Sequence, residues 1–199
     1  MKPRRMFKME HMQQLIDAYI QMEKEAIDNL NTEDLNTTLQ ALVNAFNNEK
    51  RVFVCGNGGS ASTASHLTSD FNKGFDSYEG KRFNIISLVD NIAVLSAIGN
   101  DISYNDIFSY QLKDRIQPNE ILLCISGSGN SENIIRAAEY AKSQGAIIIG
   151  FTGFDGGKLG KLSDIHVNVP INNMQIAEDV HLIFNHLLVW VLHKLREEE

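Results

Sequence analysis

His66 and Asp70 lie four residues apart in "GNGGSASTASHLTSDF", residues 56–71. If a helix starts at Ser60, the two side chains share one of its faces, beginning about 9 Å along the axis from that first residue. A histidine and a carboxylate so placed suit two kinds of chemistry. Asp70 can move a proton as base or acid, or both side chains can ligate a divalent metal. A solvent-facing helix pair is the bland alternative. A second group, Glu178, His181 and His186, falls in "EDVHLIFNH" (178–186). Glu178 and His181 are at i,i+3, whereas Glu178 and His186 are about 12 Å apart along a helix axis. By spacing alone His181 is the easier companion of Glu178. Burying such groups in an apolar helix without partners is costly, so they carry more information than surface charges.

Two loops of like design could deliver a substrate to these residues. "VFVCGNGGSAS" and "LLCISGSGNSENI" each join an apolar strand to a helix through glycine and small hydroxyl or amide residues. Glycine permits a sharp turn and close ligand approach, and the free amides of the next helix's first turn attract an anion. Ser60, Ser126, Ser128 and Ser131 add hydroxyls. The dinucleotide fingerprint GxGxxG is incomplete in "GNGGSA", and "GFDGGKLG" (153–160) does not supply a phosphate-binding GxxxxGK[ST]. Nucleotide signatures being absent, a single phosphate on a small polar molecule is the better fit.

The elements that must hold these loops follow from periodicity. Apolar runs at 51–55, 83–88, 121–126, 146–151 and 165–169 predict strands, separated by helical segments near 60–73, 91–99, 104–115, 131–143 and 175–196. Apolar strands alternating with helices predict an α/β, three-layer sandwich around a mostly parallel five-stranded sheet. Residues 6–30 and Thr32 to Phe46 predict two more helices, so residues 6–48 form a helical N-terminal extension of one domain spanning 1–199. The closing helix, "VHLIFNHLLVWVLHKL", is apolar enough to predict a core or subunit interface, and with residues 6–30 it could build an oligomeric bundle.

Composition narrows the partners. Net charge is −7 and no basic run is long enough to track a nucleic-acid backbone, which argues against a duplex-binding footprint. Cys55 and Cys124 lie in apolar runs without a CxxC partner, predicting buried thiols rather than a disulfide or zinc knuckle. With neither a signal core after Met1 to Arg5 nor a long uncharged apolar stretch, a cytoplasmic protein without membrane partners is expected.

"CGNGGSASTASH", "AIGND" (97–101), "NDIF" (105–108), "ISGSGNSENI" and "GFTGFDGG" together resemble the sugar isomerase (SIS) domain family, and within it the phosphoheptose isomerases. The resemblance covers nearly the whole chain. It implies interconversion of sedoheptulose 7-phosphate and D-glycero-D-manno-heptose 7-phosphate through an enediol or enediolate, in the synthesis of heptose for bacterial surface polysaccharides. It also implies a divalent metal, usually zinc, and a homotetramer with active sites between subunits. Ser126, Gly127, Ser128, Asn130 and Ser131 match the phosphate loop, and Asn57, Gly58, Gly59 and Ser60 match the first loop, where it approaches substrate. His66, Asp70, Glu178 and His186 match metal ligands, with Asp70 and His186 the catalytic pair. Asn91, with Asp90 one residue earlier, falls where the family places a substrate-contacting aspartate. The family normally has glutamate at 70 and glutamine at 178, departures that would suit another phosphosugar. The alternatives implied are therefore a related phosphosugar isomerase or epimerase, and a non-catalytic SIS-domain protein that binds the replication initiator.

Overall fold

Five short strands, β1 Val52–Gly56, β2 Ile85–Ser87, β3 Ile121–Ser126, β4 Ile147–Gly153 and β5 Ile165–Val169, pair in the order β2-β1-β3-β4-β5, every pair parallel. They form the centre of a computed structural model that describes residues 11–74 and 80–198. The three central strands, β1, β3 and β4, are apolar on both sides because both faces are covered, whereas edge strand β5 alternates His166 and Asn168 with Val167 and Val169. Val52, Val54, Leu123, Ile125, Ile149 and Phe151 point into one core with α1 (Met12–Asp28), α2 (Thr32–Asn47), α3 (Gly59–Gly74) and α8 (Met174–Glu197). Phe53, Cys55, Leu122, Cys124 and Ile148 point into the other. There they meet α4 (Ile92–Asp101), α5 (Ser109–Leu112), α6 (Glu132–Ser143) and α7 (Gly157–Leu162). The three-layer expectation and its five-stranded sheet are met.

The strand order determines where a ligand can sit. From β1 the chain crosses outward to β2, then returns to place β3 on the other side of β1. Loops leaving β1 and β3 therefore diverge at a switch point, the crevice in which open α/β sheets bind ligands. Gly56, closing β1, is in register with Ile125 near the end of β3, so the two glycine loops emerge side by side. The register also sets Cys55 opposite Cys124, with Sγ atoms 3.7 Å apart, both buried and free. The contact to Cys124, together with burial, pushes the Cys55 thiol well above its usual range.

Several boundaries shift from the sequence expectation. The helix expected at 6–30 is observed over Met12–Asp28, and residues 6–10 lie outside the described residues. The segment expected as one helix over 104–115 is a 3₁₀ turn, Tyr104–Asp106, followed by the single turn α5. Ile107 and Phe108 bend into the core there, and Asp114 adopts a positive φ of 56° after the turn. Helix α7 was not anticipated: "GKLGKL" is too short and glycine-rich to display a helical period. On the other face, Tyr19 of α1 donates a hydrogen bond to Asp179 of α8, which pushes its phenol up to about 12. Among the described residues no helix is long and apolar enough to cross a membrane.

Candidate active site

The first glycine loop is built for close approach. A Cβ on Gly56 would lie 2.5 Å from the Ser60 carbonyl oxygen, and Gly58 has a φ of +54°. The chain can therefore double back into α3, where the Ala61 and Ser62 amides donate to the Asn57 and Gly58 carbonyls and the leading amides of Gly59 and Ser60 are left to face a ligand. Asn57 is held in place: its amide and that of Asn133 exchange two hydrogen bonds of 2.9 Å, and Tyr104 Oη donates to Asn57 Oδ1 at 3.1 Å.

The second loop is braced from below. Gly129 has a φ of +62°, and a Cβ there would lie 2.1 Å from the Gly156 carbonyl oxygen. Gly153 N donates to Gly127 O at 2.8 Å and Leu159 N to Gly129 O at 2.9 Å, so the turn into α7 fixes the serine loop's backbone. Asn130 joins this brace: its Oδ1 accepts from Lys158 N at 3.1 Å and its Nδ2 donates to Ser128 O at 2.8 Å. The expected substrate-facing Asn130 thus has its amide engaged within the loop. Ser131 opens α6, but its hydroxyl makes no capping bond and lies 3.5 Å from Ser126 Oγ.

Both loops and α8 line one cavity of about 200 Å³, bounded by Asn57, Ser60, Ser126, Gly127, Ser128, Ser131, Met174 and Glu178. Asn173 starts α8 there, its side chain accepting from the amides of Gln175 and Ile176. That start places Met174 and Glu178 against the loops. A Cβ on Gly127 would come within 2.4 Å of Met174 Sδ, and one on Gly59 within 2.4 Å of Glu178 Oε2. Glycine at 59 and 127 leaves room for the Glu178 and Met174 side chains at the cavity wall. Asp90 and Asn91 are not brought here. Asn91 caps α4 by accepting from Val94 N at 3.1 Å, and Asp90 lines a separate open hollow with Thr68, Lys73 and Arg82.

Packing of α3 on α8 assembles a second cluster. His66 Nε2 lies 3.0 Å from Asp70 Oδ2 and 3.2 Å from His186 Nε2, and His186 Nε2 lies 3.9 Å from Asp70 Oδ2. The two imidazoles meet edge to face. The side chains are 45 %, 29 % and 57 % exposed for His66, Asp70 and His186, so the group opens to solvent and to an incoming ligand. Donors on a tetrahedral zinc with bonds of roughly 2.0–2.1 Å stand about 3.3 Å apart. Two imidazole nitrogens and one carboxylate oxygen at the observed spacings fit such an ion. Glu178 is absent from this group. It stands eight residues before His186, about 12 Å along the axis, and its carboxylate faces the serine cavity. Three of the four expected ligands converge, and Glu178 does not.

His181, favoured by spacing as the partner of Glu178, is a core histidine. It is wholly buried, its Nε2 donates to the Thr152 carbonyl at 3.0 Å, and its ring lies among Phe151 and Phe184. Burial pushes its pKa down from 6.5 to about 4. Between these values the unfolded chain takes up a proton that the folded chain refuses. Stability is thus intact above pH 6.5 and is lost as pH falls toward 4, by about 3 kcal/mol in all. Melting followed from pH 7 to pH 4.5 is expected to show this fall, and His181→Gln, which retains a donor for Thr152, to flatten it.

Sequence reasoning missed four supporting residues. Asn133 and Tyr104 hold Asn57, Met174 covers Gly127, and Asn185 donates through Nδ2 to Asp70 Oδ2 at 2.8 Å. Of these only Asn185 left a signal, a carboxamide inside an apolar helix next to a candidate ligand.

A family model described as "SIS domain" matches residues 16–153. A phosphoheptose isomerase of Helicobacter pylori (strain P12) is 34 % identical over 182 residues, covering 87 % of this chain and 94 % of the relative. The solved structure of a phosphoheptose isomerase from Francisella tularensis matches with a TM-score of 0.83 at 30 % identity, covering 92 % of this chain and 97 % of its own. That of the phosphoheptose isomerase from Neisseria gonorrhoeae matches with a TM-score of 0.84 at 26 % identity, covering 92 % and 98 %.

Proposed function

The chain belongs to the SIS-domain family and to its phosphoheptose isomerases, and from that membership we propose how its residues interconvert sedoheptulose 7-phosphate and D-glycero-D-manno-heptose 7-phosphate. The observation that carries the reading is a His–Asp–His group that α8 completes through His186, and whose His66 and Asp70 lie on α3, the helix whose first turn lines the serine cavity. Ser126, Ser128 and Ser131, with the leading amides of α3 (Gly59, Ser60) and α6 (Glu132, Asn133), are donors for the phosphate. From Ser60 to His66 is about 9 Å along α3, so a sugar anchored by its phosphate extends toward Asp70 and His186.

Aldose–ketose exchange requires a proton to leave C1 of the ketose and another to arrive at C2. The C1–H electron pair becomes the C1–C2 double bond, and the carbonyl pair moves onto O2. Protonation of C2, with the proton lost from O1 taken up at O2, then gives the aldehyde and the C2 hydroxyl, so two protons leave and two arrive. Asp70 and His186 share the proton transfers. Oδ2 of Asp70 meets His66 and Asn185, which leaves Oδ1 to face the substrate carbon. A divalent cation held by His66, Asp70 and His186, for which zinc is our reading, would supply charge against the developing oxyanion. Glu178, at the cavity wall, serves as a hydrogen-bond acceptor for substrate hydroxyls.

We further read the assembly as a homotetramer with sites between subunits. Supporting it are the exposed apolar residues Leu15, Ile16 and Ile20 on α1 and Trp190 on α8, the last 61 % exposed. Such surface is ordinarily covered by a symmetric copy.

The deciding experiment is an assay of purified protein on seven- and six-carbon ketose phosphates, with and without added zinc, following proton exchange and product identity. Turnover of sedoheptulose 7-phosphate is the expected result. Turnover of a different phosphosugar alone would replace the substrate, and no turnover across the panel would favour a binding protein.

A further inference from the structure

Asn185 is buried to 0 % exposure in the middle of α8, yet its amide is only half satisfied. Its orientation is dictated by chemistry: the carboxylate oxygen of Asp70 accepts, so Nδ2 must face it, at 2.8 Å. Oδ1 is thereby turned into the core without a partner. A buried, unpaired carbonyl oxygen costs folding free energy, and an apolar side chain of the same size would avoid that cost. Folding alone therefore gives no reason for an amide here. The Asp70 contact does, because aspartate is short and its Oδ2 must be presented to His66 and His186 from a side chain 29 % exposed.

We propose that Asn185 is a positioning residue that locks the Asp70 carboxylate in the orientation required by the His66–Asp70–His186 group. This deepens, and rests on, the metal-assisted isomerase reading above. A hydrogen bond from behind fixes which oxygen faces the ligand group and leaves the other oxygen unencumbered. Outer partners of ligating carboxylates act in this way, and their loss commonly lowers metal affinity or activity by 10- to 100-fold.

The test uses the full chain with two opposite substitutions. Asn185→Leu keeps the bulk and removes the donor; Asn185→Ser keeps polarity but is too short to reach Asp70. Zinc affinity by competition with a chromophoric chelator, thermal melting, and kcat and KM on sedoheptulose 7-phosphate are measured for each beside the wild type. Both variants are expected to lose zinc affinity about 10-fold or more. Loss of kcat should accompany it with KM held within about twofold, and the leucine variant should melt no lower than the wild type. Unchanged zinc affinity and kcat in both would overturn the proposal. So would a loss confined to serine and tracking its melting temperature, the mark of a packing role. Should the wild type fail to turn over the sugar, the isomerase reading falls, whereas the zinc-affinity arm still decides the role of Asn185.

Discussion

Asp70→Asn is expected to lower kcat on sedoheptulose 7-phosphate by about a thousandfold, with KM changed no more than a few-fold. The substitution preserves shape, so the van der Waals contacts of α3 with α8 persist, and the new amide oxygen still accepts from Asn185 Nδ2. What disappears is the only carboxylate in the cluster. An amide cannot take a proton from carbon, and general acid–base catalysis by one residue commonly contributes 10²- to 10⁴-fold. The same change removes an anionic donor from the His66–Asp70–His186 group. The serine loop is untouched, which is why binding through the phosphate is retained. Steady-state kinetics in parallel with solvent-deuterium incorporation at C1 and C2 distinguishes lost proton transfer from lost binding. Full isomerase activity in a metal-stripped Asp70→Asn protein would sink the mechanism.

Removal of divalent metal is expected to have the second largest effect. Dialysis against a chelator should reduce turnover at least a hundredfold, and about one equivalent of zinc per chain should restore it. The fold should survive the treatment. His66 and His186 lie at the edge of the α3–α8 contact and are largely exposed, whereas the buried contacts beneath them come from Leu67, Phe71, Phe184 and Leu188. A site held up by its helices rather than holding them together lets the cation leave without unfolding. Circular dichroism before and after dialysis checks this. Turnover unaffected by thorough chelation would instead assign the chemistry to the side chains alone.

The serine loop's stability is tied to an element far from it in sequence. Gly129 is locked against Gly156, and Asn130 against Lys158, so the phosphate cradle is only as rigid as the turn into α7. The "GFTGFDGG" segment thereby acquires a physical role: its close-approach glycines let β4 buttress the loop that follows β3.

Much of this was legible in the chain itself. Alternating apolar runs and helical periods specified the three-layer architecture, because strands apolar on every residue require cover on both faces. The glycine and serine content of the two loops specified sharp turns with free donors, and His66 and Asp70 at i,i+4 share a face whatever else the fold does. Those are local properties, set by backbone sterics and by a helical repeat of 3.6 residues. What lies across the sheet or between helices was decided only in three dimensions. Spacing favoured His181 as the partner of Glu178, but α8 turns His181 into the Phe151–Phe184 core and His186 toward His66, 120 residues away. The separation of Glu178 from His186 is again local, eight residues of helical rise, but the Asn185 amide behind Asp70 follows from the rotation and height at which α8 packs on α3. No periodicity encodes that angle; it is set by the side chains that fill the core between them.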